Sequence, residues 1–153
     1  MRGTNQTHYV GSLAQAPELK YTPGGLAILE ITVAGRGEIL TADGTPRLAP
    51  FYNRCKAFGK YAESLAESLS RGDVVSVHGR LEYRAYEIEG EKRSAVETVI
   101  VTLGTLAGRF VTEDDARGQP VLQDGLNRVT LGGNLTKDAE LKRLPTGLCV
   151  VRL

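Results

Sequence analysis

Residues 5–31 return without gaps as residues 127–153, an offset of 122 positions. Nine positions are identical: Asn5/Asn127, Gly11/Gly133, Leu13/Leu135, Glu18/Glu140, Leu19/Leu141, Lys20/Lys142, Pro23/Pro145, Gly25/Gly147 and Leu26/Leu148. Elsewhere apolar character is kept, with Ile28 facing Val150, Leu29 facing Val151 and Ile31 facing Leu153. Identities at a strand glycine, at a turn and at an E-L-K core make coincidence a poor explanation. The chain therefore holds one full unit and the opening of a second, which reaches only the start of its own second strand.

The first unit reads as β. "HYVGSL" places β-formers around a glycine, the mark of a bulge or bend. "PELKY" runs into the tight turn Pro23-Gly24-Gly25. In "LAILEITVAG", Ala27, Leu29, Ile31 and Val33 share one face and Ile28, Glu30 and Thr32 the other, so the strand is half buried. Asp43-Gly44 marks an exposed hairpin tip, and "APFYNRCKAFG" is a further strand. The period then changes: Tyr61, Leu65 and Leu69 recur at helical spacing, predicting a short amphipathic helix stopped by Gly72. Strands resume in "DVVSVHGRLEYRAY" and, after the polar turn "EIEGEK", in "RSAVETVIVTLGTL".

Three strands, one helix and two strands is the element order of a five-stranded OB barrel; SH3-like barrels share much of the pattern. Residues 108–125 are polar, with an acidic cluster at Glu113-Asp114-Asp115 and no periodicity, and read as a linker. The predicted organisation is all-β with one short helix: an OB-fold barrel over residues 1–107, a linker over 108–125, and an incomplete second OB repeat over 126–153.

Several function classes are excluded or left without support. The 19 basic and 18 acidic residues nearly cancel, so any electrostatic signal is local. No apolar run approaches the roughly 20 residues that span a bilayer, and "MRGTNQTHYVG" lacks the apolar centre of a secretory signal; a cytoplasmic chain is expected. Cys55 and Cys149 are too few for a disulfide framework or a metal site and read as free thiols. His8 and His78 have no glutamate or cysteine at ligand spacing, so no catalytic residue, metal or cofactor is expected. Arg71-Gly72-Asp73 reads as the cap of a helix-to-strand turn.

Binding has a better basis. By period two, Tyr52, Arg54, Lys56 and Phe58 share one strand face. Cations cannot point into a barrel core, so that face is outward and holds aromatics in water. "RLEYRAY" repeats the mixture, with Arg80, Glu82, Arg84 and Tyr86 on one parity. Exposed rings beside cations suit single-stranded nucleic acid, whose bases stack at about 1–3 kcal/mol each. The same rings could close barrel ends or line an oligomer interface, and the pattern leaves both open.

These residues resemble a known family, the bacterial single-stranded DNA-binding proteins. "GSLAQAPELKYTPGG", "FYNRCKAFGKYAESLAESLSRGDVVSVHGRLEYRAY" and "EKRSAVE" follow the family's order and spacing over residues 5–106. The repeat is similar to the members with two OB domains per chain in the Deinococcus–Thermus lineage. The resemblance implies sequence-nonspecific binding and protection of single-stranded DNA in replication, recombination and repair, by a nucleoid-associated homo-oligomer, dimer or tetramer. It implies stacking on Tyr52, Phe58 and Tyr86 and phosphate contacts from Arg54, Lys56, Lys60 and Arg84, with Lys20 and Lys92 as weaker candidates.

Departures accompany it. Tyr52-Asn53-Arg54 stands where the family has tryptophan, histidine and arginine, and Tyr86 stands where tryptophan is common. Smaller rings predict weaker binding. The replaced histidine lies near subunit contacts in the family, so the usual assembly does not carry over to Asn53. The family's acidic recruitment tail is expected to be absent. A competing expectation is an OB-fold oligomerisation module with little DNA affinity of its own.

Overall fold

The computed structural model describes residues 3–153. Its first unit is a closed barrel of β1 (Thr4–Leu13), β3 (Ala27–Leu40), β4 (Pro46–Phe58), β5 (Val74–Ile88) and β6 (Glu91–Thr105), with the short β2 (Glu18–Tyr21) laid on β3. A single helix, α1 (Gly59–Ser68), joins β4 to β5. β3–β4 and β5–β6 are long antiparallel hairpins. The parallel pairing of Cys55 with Thr98 joins β4 to β6. Closure falls to β1, which pairs β5 from Thr7 to Ser12 and then meets β3 at Ser12 and Leu13. That change of partner needs a bend, and Gly11 supplies it: a Cβ there would lie 2.6 Å from the Ala34 carbonyl oxygen.

The alternation read in the sequence is what fills the barrel. Ala27, Leu29, Ile31 and Val33 of β3 are buried, as are Phe51, Cys55 and Ala57 of β4 and Val75 and Val77 of β5. Tyr9 enters the same core and satisfies its hydroxyl on Thr98 Oγ1 at 3.0 Å. Burial pushes the Cys55 thiol up to about 12, which leaves it inert as a nucleophile.

The helix differs in detail from the expected stripe. Ala62, Leu65 and Leu69 are buried, whereas Tyr61 is exposed and its hydroxyl oxygen accepts the Leu103 N–H at 2.9 Å. The helix ends at Ser68 rather than at Gly72, because Leu69 leaves it in an extended conformation to reach the core. Gly72, at φ +87°, then turns the chain, and the Asp73 carboxylate accepts the Ser70 N–H at 2.8 Å.

Residues 108–125 carry a short hairpin of β7 (Thr112–Asp114) and β8 (Pro120–Leu122). Pro120, Val121 and Leu122 are buried, Leu122 pairs with Gly35 of β3, and Ser12 Oγ donates to the Pro120 carbonyl at 2.7 Å. The hairpin is thus fastened to the barrel wall beside β3.

The repeat is also a structural one. β9 (Leu126–Gly132) lies antiparallel to β1, with Thr7 opposite Val129. Those two residues are equivalent under the offset of 122, so β1 and its copy are related by a local two-fold at that pair. β10 (Glu140–Arg143) and β11 (Cys149–Arg152) pair in the register of β2 and β3: Leu141 faces Val151 as Leu19 faces Leu29. The turns match as well. Gly25 donates to the Thr22 carbonyl at 2.8 Å and Gly147 to the Leu144 carbonyl at 2.9 Å. Both glycines sit near φ +85°, at +86° and +83°, where a side chain would be strained.

Candidate nucleic-acid interface

β4 sorts its side chains by parity. Phe51, Cys55 and Ala57 turn inward, leaving Tyr52, Arg54, Lys56 and Phe58 on the outer face. Tyr52 is 43% and Phe58 39% exposed, a large apolar area for rings left in water. Tyr52, Arg54 and Lys56 line a groove of about 640 Å³, floored by Glu30, Ile31 and Thr32 of β3 and walled by Asp115, Arg117 and Gln119 of the β7–β8 hairpin. Phe58 lies at the far end of β4, outside the groove.

The electrostatics of this groove are mixed. Arg54, Lys56 and Arg117 share it with the carboxylates of Glu18, Glu30, Glu97 and Asp115. Lys56 Nζ lies 2.7 Å from Glu97 and 3.5 Å from Glu30, and the Lys56 and Glu97 side chains are only 14% and 13% exposed. Lys20 shares Glu30 at 3.7 Å and holds Glu18 at 3.2 Å. Its hydrogen bond to Glu18, followed by the charge of Glu30, raises the Lys20 pKa. Two of the expected phosphate contacts thus already have carboxylate partners, while Arg54 and Lys60 take part in no ion pair among the described residues.

The hairpin holds one of the candidate rings by its hydroxyl. Tyr52 Oη donates to Asp115 Oδ2 at 2.8 Å. Desolvation first, then this bond, raises the Tyr52 pKa. The Asp115 carboxyl is lowered, chiefly by the Gln119 N–H and next by Tyr52. A lowered carboxylate contributes its stabilisation above its unfolded pKa and loses it as pH falls through the folded one. The latch between hairpin and ring therefore holds at neutral pH and weakens as pH falls through the lowered Asp115 pKa.

Tyr86 and Arg84 belong to a separate place, the arm formed where the β5–β6 hairpin extends beyond the barrel wall. The Arg84 guanidinium lies 5.3 Å from the Tyr86 ring centre, within cation–π range. Lys92 stands near the tip, opposite Glu87. Tyr83, 68% exposed, faces the other side of the arm beside Val96.

Two features escaped the sequence. Arg117 and Asp115 reach the groove from a segment that reads as a linker, and only the fold carries them there. His8 and His78, 70 positions apart, are direct cross-strand partners whose rings stack at 4.0 Å. Among the described residues, no three His, Cys, Asp or Glu side chains gather as metal ligands, and no helix is long and apolar enough to cross a membrane.

Comparison with known proteins places this geometry. The chain is 44% identical over 153 residues to the single-stranded DNA-binding protein of Thermus aquaticus, covering 99% of this chain and 58% of that one. Identity to the single-stranded DNA-binding protein of Deinococcus radiodurans is 41%, over 99% of this chain and 51% of that one. The chain thus spans little more than half the length of these relatives. It superposes on the crystal structure of the wild-type Thermus aquaticus protein with a TM-score of 0.77 and 38% identity, covering 99% and 66% of the two chains. The model of the "Single-strand binding protein family" matches residues 4–106, which is the barrel. This chain belongs to the single-strand binding protein family.

Proposed function

We propose that the chain binds single-stranded DNA without sequence preference, and that it covers the strands laid bare in replication, recombination and repair. The observation that carries this is the outer face of β4, where two exposed rings flank Arg54 and Lys56, with Tyr52 and both cations lining a groove and Phe58 beyond its end. Bases stack on Tyr52 and Phe58, and further out on Tyr86. Phosphates meet Arg54, Lys60, Arg84 and Lys92 first. Lys56 and Lys20 contribute only by exchanging carboxylate partners for phosphate, so their net effect is smaller. The barrel is the binding unit, and β9–β11 are the first elements of a second barrel, as their shared turn and register support.

A second reading, assembly with further copies, draws on the apolar residues exposed along β9–β11, among them Leu131, Leu141 and Val151. It does not compete with DNA binding unless the rings serve only to pack.

Six tyrosines and no tryptophan make intrinsic fluorescence a direct probe. Titration with oligo-dT should quench it, and log K should fall with log salt at a slope of about −3, four phosphates at about −0.7 each. A flat response across salt concentrations would leave only the assembly role.

A further inference from the structure

We propose that Arg117, at the tip of the β7–β8 hairpin, is a phosphate contact that clamps the DNA strand from the wall of the groove facing β4. This deepens the binding reading above, rests on it, and adds one phosphate to those counted there. The hairpin lies outside residues 4–106, the part of the chain that the family model matches, so its role has to follow from its own geometry. Sheet order puts β4 on one side of β3 and β8 on the other. The groove floored by β3 therefore has β4 as one wall and the hairpin as the other.

The hairpin tip is built around one carboxylate. Asp115 Oδ1 accepts the Arg117 N–H at 2.8 Å and the Gln119 N–H at 2.9 Å, while Oδ2 accepts the Tyr52 hydroxyl at 2.8 Å. Backbone bonds close the same loop: the Asp115 N–H donates to the Gln119 carbonyl and the Gly118 N–H to the Asp115 carbonyl, both at 2.9 Å. From outside, the Arg71 guanidinium donates to the Gly118 carbonyl. Ser12 Oγ holds the Pro120 carbonyl just behind the tip. The tip and the strand behind it are thus tied to β4, to the α1–β5 turn and to β1. None of these bonds uses the Arg117 side chain, which is exposed.

That side chain lines the groove and forms no ion pair among the described residues. Arg54 is in the same position on the β4 wall, whereas Lys56 and Lys20 are held by carboxylates. The groove therefore offers one unpaired guanidinium from each wall, and a strand whose base stacks on Tyr52 runs between them. A guanidinium suits the place because it can take a phosphate through two parallel N–H bonds. The backbone that bears it is already fixed, so less freedom is lost when the strand arrives. Asp115 is the one carboxylate of the tip that lines the groove, and its charge is shared with the groups that bind it. The Gln119 N–H first, then the Tyr52 hydroxyl, hold its pKa below the ordinary value.

The test titrates wild type, Arg117→Ala, Arg117→Lys and Arg109→Ala with oligo-dT of about 12 nucleotides, within the site size of one OB fold, between about 0.1 and about 1 M salt. The N–H that Asp115 accepts is backbone, so Arg117→Ala should keep the tip and the melting temperature; Arg117→Gln serves if alanine melts early. Losing one phosphate should make the slope of log K against log salt shallower by about 0.7, which is about fivefold weaker binding at 0.1 M and near equality at 1 M. Arg117→Lys keeps the charge and should keep the wild-type slope. Arg109 is exposed in the same connecting segment but does not line the groove, and its alanine variant should bind as wild type does. Wild-type affinity and slope in Arg117→Ala would overturn the contact. An equal change in Arg109→Ala would also overturn it, by assigning the effect to net charge. A loss that does not vary with salt would do the same, by assigning the side chain a structural role. Failure of the wider binding reading looks different, because wild type itself would then show no salt-dependent quench.

Discussion

Replacing Tyr52 and Phe58 together by alanine is expected to weaken oligo-dT binding at least about 30-fold, taking about 1 kcal/mol for each stacked base as the lower bound. The fold should survive the change. Both rings stand on the outer face of β4, Phe58 is the N-cap of α1 without a side-chain cap bond to lose, and surface substitutions that break no such contact usually stay within about 0.5 kcal/mol. The melting temperature should therefore move by only a few degrees. Tyr52 has a complication, since its hydroxyl holds Asp115 of the β7–β8 hairpin, and alanine removes that bond along with the ring. Tyr52→Phe separates the two: the ring stays and the latch goes, so DNA affinity should be retained. An alanine double variant with wild-type affinity would remove both residues from the interface.

The second large effect concerns stability and tests the repeat. Gly11 and Gly133 are equivalent in sequence, yet the fold asks different things of them. A Cβ at Gly11 would meet the Ala34 carbonyl oxygen at 2.6 Å and Val33 Cγ1 at 2.8 Å, whereas a Cβ at Gly133 meets nothing within 4 Å. The Ala34 contact is backbone, so β1 and β3 must separate where the barrel closes. Forcing atoms into a packed site costs about 1–3 kcal/mol, occasionally more. Gly11→Ala should lower the melting temperature by about 5–10 °C, at about 2–4 °C per kcal/mol for a chain of this size. Gly133→Ala should be neutral or slightly stabilising through its unfolded state. Equal effects at the two positions would mean that β1 does not close the barrel as described.

What could be read from the sequence was whatever depends on neighbours along the chain. Period two sorted Tyr52, Arg54, Lys56 and Phe58 from Phe51, Cys55 and Ala57, because strand parity is local. The turns at Gly25 and Gly44 announced themselves by composition, since positive φ selects glycine. The β7–β8 hairpin did not. Pro120, Val121 and Leu122 are three apolar residues in a polar run, and their burial comes from docking on β3 and Ser12. The ion pairs of Lys56 were equally hidden, because Glu30 and Glu97 reach it across strand pairings that no local pattern encodes. The His8–His78 stack depends on the β1–β5 register and nothing else. The sequence thus marked the rings and cations of the β4 face, while the partners that temper those cations emerged from the assembled barrel.

Photo-crosslinking with oligo-dT carrying bromodeoxyuridine, followed by peptide mapping, tests the central claim most directly. The account predicts crosslinks concentrated in the peptides that hold Tyr52 and Phe58, with a weaker set at Tyr86. Crosslinks confined to β9–β11, with none on β4, would contradict it.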